Sequence, residues 1–127
     1  MYFDDLIFYD MDDTYEKLYL KVHAAFQWQN TFCSEAKWTL KIDDDTVIDL
    51  NDFLYWMKIK CFNSKKHSLV FGNVQYGVEV RRDKFFIYHV PYADYPLSQY
   101  PPYMSGPSYL LSSQAVSAIM LTTNRLM

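Results

Sequence analysis

Trp38-Thr39-Leu40-Lys41-Ile42-Asp43-Asp44-Asp45 is a short, mainly apolar run that ends in three consecutive carboxylates. It reads as a strand with the acids at its C-terminal end. At an effective dielectric of about 20 and a spacing of about 5 Å, neighbouring carboxylates repel by roughly 3 kcal/mol per pair, so water or a cation must relieve them. Ionised carboxylates are hard oxygen ligands suited to Mg2+ or Mn2+, ions that keep open positions for substrate phosphates. The Asp-x-Asp pattern is therefore a candidate metal-diphosphate site, because open α/β sheets bind ligands beyond the carboxyl ends of their strands. In an extended chain Asp43 and Asp45 share one face and Asp44 takes the other. A solvated acidic turn after the strand is the competing reading.

Working outward, Leu6-Ile7-Phe8-Tyr9 reads as a buried strand, and Asp12, Asp13 and Thr14 supply helix-start chemistry for a helix over Tyr15 to Gln29. Leu18, Val22, Ala25 and Phe26 recur on one side of it. On the other side of the triplet, Asp49 or Asn51 starts a second helix that ends near Cys61. Asn63 to Ser68 reads as a polar loop, with Lys65-Lys66 within it. Strand-like runs follow at Ser68 to Phe71, Asn73 to Tyr76 (separated by Gly72) and Phe85 to Val90. The Pro- and Tyr-rich segment Pro91 to Pro107 reads as a shaped irregular loop, too aromatic for a flexible linker. Tyr109 to Leu111 reads as a short strand, and Ser112 or Ser113 as the N-cap of an apolar helix over Ala115 to Leu121.

The bulk numbers support one compact domain. Of 127 residues, 50% are hydrophobic and only three are glycine, enough for one compact core and too few flexible residues for a loop-built protein. A net charge of -3 with scattered basic residues argues against a nucleic-acid partner. No apolar run reaches bilayer length and the N-terminus lacks signal-peptide features, so the chain as written reads as soluble. Cys33 and Cys61 are compatible with a disulfide, two buried thiols or one of each. His23, His67 and His89 stand alone and none is read as a ligand.

Two constellations compete for the chemistry. Ile7 to Thr14 fits a strand followed by Asp-x-Asp-x-Thr, the nucleophile loop of haloacid-dehalogenase-type phosphatases, with Asp10 attacking phosphorus and Asp12 as acid/base. That chemistry also needs a downstream hydroxyl, a lysine and a late acidic pair, and the triplet lies too close to the loop to supply the last. A turn plus helix cap is the preferred reading of Asp10 to Thr14.

The other constellation is the triplet with its surroundings. Asp5, Asp10-Met11-Asp12-Asp13-Thr14-Tyr15, Leu18 and Lys21 fall in order, followed by Trp28, Cys33 and Lys41-Ile42-Asp43-Asp44-Asp45. Arg82-Asp83, Tyr95-Pro96-Leu97-Ser98-Gln99-Tyr100-Pro101-Pro102-Tyr103-Met104-Ser105-Gly106, Tyr109 and Ser112 complete the set. Taken together these segments resemble the β-1,3-glycosyltransferases, the family of β-1,3-galactosyl- and β-1,3-N-acetylglucosaminyltransferases. One departure is Ile87, which stands where the family carries a lysine before its aromatic pair.

The resemblance implies a GT-A-like α/β fold with a mixed central sheet, of which residues 1–127 would be the central part, without a second domain. It implies inverting transfer of galactose or N-acetylhexosamine from a UDP-sugar to a glycan hydroxyl, with Mn2+ or Mg2+ held by Asp45 and Asp43. Asp43, Asp44, Lys41, Arg82, Ser105 and Gly106 would bind the donor, and Tyr100 and Tyr103 would wall the acceptor. The carboxylate base would lie beyond Met127, and a Golgi-luminal setting would depend on a membrane anchor outside this chain. A catalytically inactive glycan- or protein-binding relative is the alternative.

Overall fold

The computed structural model describes residues 6–60 and 67–123. Cys61, the end expected for the second helix, and Asp5 and the Lys65-Lys66 pair lie outside them. Three helices and three strands follow in the order α1 (Leu18–Phe32), β1 (Trp38–Ile42), α2 (Leu50–Lys60), β2 (Val70–Gln75), β3 (Tyr103–Ser112) and α3 (Ser113–Thr123). A 3-10 turn, Tyr15–Lys17, precedes α1. The described residues fall into two compact units, one of 6–39, 67–69 and 111–123 and one of 40–60 and 70–110.

In the first unit α1 packs against α3. Its buried apolar side chains are Phe26, Leu111, Ala115, Val116 and Met120, with Gln29 and Ser112 buried beside them. Two polar ties join the helices: His23 Nε2 with Thr123 Oγ1 at 3.1 Å, and the Ser117 hydroxyl donating to Asn30 Oδ1 at 2.9 Å. The apolar stripe expected on α1 survives at Val22 and Phe26, whereas Ala25 is exposed. Leu6 to Tyr9 are not a strand: they carry no regular structure and are exposed, Phe8 to 88%, because no strand among the described residues pairs with them. Cys33 is a free thiol.

β3 lies between β1 and β2 in a three-stranded sheet. Both pairings are antiparallel. The Asp43 N–H donates to Pro107 O and the Ser113 N–H to Lys37 O, so numbers rise on one strand as they fall on the other. On the far side the Ser112 N–H donates to Leu69 O, and Gly72 lies beside Tyr109. Among the described residues the sheet is thus antiparallel and not mixed. β2 runs unbroken through Gly72, where two runs were expected; a Cβ there would come within 3.1 Å of the Tyr109 Cβ and 3.2 Å of the Met104 sulfur, so the glycine lets β3 approach closely. β3 is far longer than Tyr109 to Leu111 and begins inside the Pro- and Tyr-rich segment.

α2 begins where the sequence places it. The Asp49 carboxylate accepts the Asn51 and Asp52 N–H groups at 2.9 and 3.1 Å, satisfying donors that the first turn leaves free. Phe53 and Trp56 of α2 line a cavity of about 210 Å³ with Leu40, Phe71 and Leu110 from the three strands. Phe85 to Val90 form turns and not a strand, with Phe85 98% exposed.

Candidate functional site

The triplet sits where β1 ends, and a proline on β3 sets that end. Asp43 and Pro107 face each other as a hydrogen-bonded pair, but proline has no N–H to return to the Asp43 carbonyl. That carbonyl instead accepts the Thr46 N–H at 3.1 Å, and the chain turns through Asp44 and Asp45. The alternation expected of an extended triplet therefore stops at Asp43. Asp44 and Asp45 are exposed, with no hydrogen-bond or ion-pair partner among the described residues, while Asp43 is half-buried.

Lys41, two residues back on the same face of β1, closes on Asp43 Oδ1 and also donates to Gly106 O at 2.6 Å. Its ammonium lies 5.8 Å from the centre of the Tyr109 ring on β3. The lysine thus ties the triplet to the Ser105-Gly106 stretch, two segments that the sequence assigned to one donor site. Gly106 is inside a strand and not in a tight turn, and a Cβ there would meet nothing within 4 Å. The space beside it is open. Burial, and then the negative charge of Asp43, push the Tyr109 phenol above its ordinary value. Tyr109 was not read as a site residue; the signal that places it is its position opposite Lys41, which needs the register.

Tyr95, Tyr100 and Tyr103 form a separate aromatic series, with ring centres 5.2 Å and then 5.9 Å apart, the second pair edge to face. Arg82, expected at a donor phosphate, is committed elsewhere. Its Nη1 donates to Val90 O at 2.6 Å, and its Nη2 to Tyr95 O and Leu97 O at 2.7 and 2.6 Å. Among the described residues no hydrogen bond or ion pair joins Arg82, Tyr100 or Tyr103 to the triplet.

Hard oxygen donors that are exposed and unpaired fit a Mg2+ or Mn2+ ion that shares its shell with water and a diphosphate. No cluster of three acidic, histidine or cysteine side chains able to hold a metal occurs among the described residues, so these form no closed cage. Asp44 and Asp45 are available as ligands, and Asp43 is engaged by Lys41. The phosphatase constellation finds no such support. Its supporting strand is absent, and Asp12 and Asp13 are paired with Lys17 and Lys21 at 2.5 and 3.0 Å.

These observations define a small α/β fold that presents open carboxylates at the end of a strand paired with a glycine-bearing one. The galactosyltransferase family model matches residues 1–127, and the chain belongs to that family. It is 33% identical to lactosylceramide 1,3-N-acetyl-beta-D-glucosaminyltransferase B of Xenopus laevis over 92% of this chain and 30% of that protein. It is 32% identical to beta-1,3-galactosyltransferase 1 of Mus musculus over 95% of this chain and 36% of that protein. The chain thus spans about a third of the length of the curated relatives it matches.

Proposed function

We propose that this chain carries the metal and nucleotide part of a β-1,3-glycosyltransferase of GT-A type. It would move galactose or an N-acetylhexosamine, with inversion, from a UDP-sugar to a glycan hydroxyl in the Golgi lumen. The observation that carries this reading is the pair of open, unpaired carboxylates at Asp44 and Asp45, at the end of β1 in a chain of this family. Asp45, with Asp44 beside it, would hold Mn2+ or Mg2+. When bound, the ion neutralises the charge that develops on the leaving diphosphate.

The chain's own residues do the rest of the binding. Lys41 neutralises Asp43 and holds it against Gly106, so the third acid does not repel an anionic donor. The open side of Gly106 leaves room for a sugar to approach the main chain. Tyr100 and Tyr103 offer aromatic faces of the kind that pack on sugar C–H surfaces. No residue described here is assigned as the base.

Calorimetry tests the reading directly. UDP binding should require Mn2+ and should be lost in Asp45→Ala, while Asp43→Asn weakens it less. Metal-independent UDP binding, or none, overturns the proposal.

A further inference from the structure

Arg82 lies at the mouth of a long excursion of the chain. Its base is closed by an antiparallel bridge between Glu79 and Gln99, with the Val80 N–H donating to Ser98 O and the Tyr100 N–H to Val78 O, both at 2.9 Å. Inside that base the guanidinium gathers the carbonyls of Val90, Tyr95 and Leu97, while its plane covers the Tyr92 ring with 3.9 Å to the ring centre. The adjacent acid gives it no ion pair, since Asp83 Oδ1 accepts the Phe85 N–H instead. Three carbonyls pointed at one spot repel one another unless a cation fills it. The loop's shape therefore depends on the charge at Arg82. A lysine supplies charge but neither the fork that reaches three directions nor the plane that stacks on Tyr92.

We infer that Arg82 is a positioning residue that sets the Tyr95, Tyr100 and Tyr103 series as a sugar-binding wall, and not a ligand of the donor diphosphate. The carbonyl it holds at Tyr95 belongs to the first ring of the series, and the Tyr95 hydroxyl in turn donates to Gln99 O at 3.2 Å. Fixing the main chain on both sides of Pro96 thus fixes the ring against which Tyr100 packs. That a sugar uses the wall rests on the glycosyltransferase reading; that Arg82 builds the wall does not.

The test compares the unaltered chain with Arg82→Lys. Hydrogen exchange at the Val90 and Tyr100 amides should quicken by about tenfold or more, with α1 and β1 unchanged, because only the excursion opens. The near-ultraviolet dichroism of the tyrosines should fall. Affinity for UDP with Mn2+ should stay within about twofold, as expected of an independent site. Lactose, used as a β-galactoside probe, should bind about fivefold more weakly, the cost of a displaced contact surface. Unchanged exchange, or equal acceleration throughout the chain, overturns the positioning role. Loss of UDP binding in parallel also overturns it and returns Arg82 to the diphosphate. Lactose binding that is absent in the unaltered chain, or equal in both, overturns the link to a sugar. Should the unaltered chain fail to bind UDP with Mn2+, the glycosyltransferase reading falls while the exchange data still decide the role of Arg82.

Discussion

At the scale of single residues, the contact of Lys41 with Asp43 and its neighbour Tyr109 decide how the triplet is charged. Of three adjacent acids, the innermost is paired by the protein and the outer two are left open. Tyr109 reports on this arrangement. Its phenol is raised from 10.0 by burial first and by Asp43 second, so above pH 10 the folded chain keeps a proton that the unfolded chain releases. Stability contributed by this group is whole below the unfolded value and is lost as pH rises through the folded one. An absorbance titration of the tyrosines should show a late phenol that Tyr109→Phe removes. Asp43→Asn should move that phenol to lower pH without restoring it fully, because burial remains. A late phenol indifferent to Asp43 would contradict the arrangement.

At the scale of elements, Ser112 shows how one side chain joins two. Fully buried, its hydroxyl accepts the Leu69 and Ala115 N–H groups at 3.0 and 3.2 Å and donates to His67 O at 3.0 Å. Ser112→Ala removes a helix cap and orphans a donor, so it should cost about 2 to 4 kcal/mol, read as a lower urea midpoint. This cap, the Asp49 cap and β1 were legible in the sequence because each depends on neighbours along the chain. The apolar run at Leu6 to Tyr9 had the composition of a strand but no partner, and Phe85 to Val90 likewise closed into turns. β3 failed the other way: its prolines and tyrosines read as a loop, yet strands pair with it on both sides. At the site, the acids were visible in the sequence and a solvated turn through them stood as the competing reading; Asp44 and Asp45 do lie in that turn, but its cause was not legible, since Pro107 sets it from another strand. Pro107→Ala restores an N–H for the Asp43 carbonyl, which then competes with Thr46. Affinity for UDP with Mn2+ should fall by about three- to tenfold while stability holds or rises, since a ladder bond is gained. An unaltered affinity in calorimetry would show that the turn does not depend on the proline.

At the scale of the whole molecule, the division into two units predicts that ligand binding at the triplet is a local event. The triplet, Gly106 and the tyrosine series all lie in the unit of 40–60 and 70–110, while α1 and α3 belong to the other. Buried apolar side chains are few among the described residues, Val80 and Leu110 in the former unit and five in the latter. A ligand that binds only the folded form therefore supplies a large share of the stability of the unit it occupies. At about 100 times its dissociation constant it adds about 2.7 kcal/mol, a slowing of exchange by about 100-fold for amides that open with that unit. With saturating UDP and Mn2+, the amides of Leu40 to Ile42 and Tyr103 to Leu110 should show this slowing, and those of α1 and α3 should not. Asp45→Ala should abolish it. Equal slowing in α1 and α3 would mean that the two units open as one. No slowing in either would overturn the proposal of a donor site at the strand end of Asp44 and Asp45.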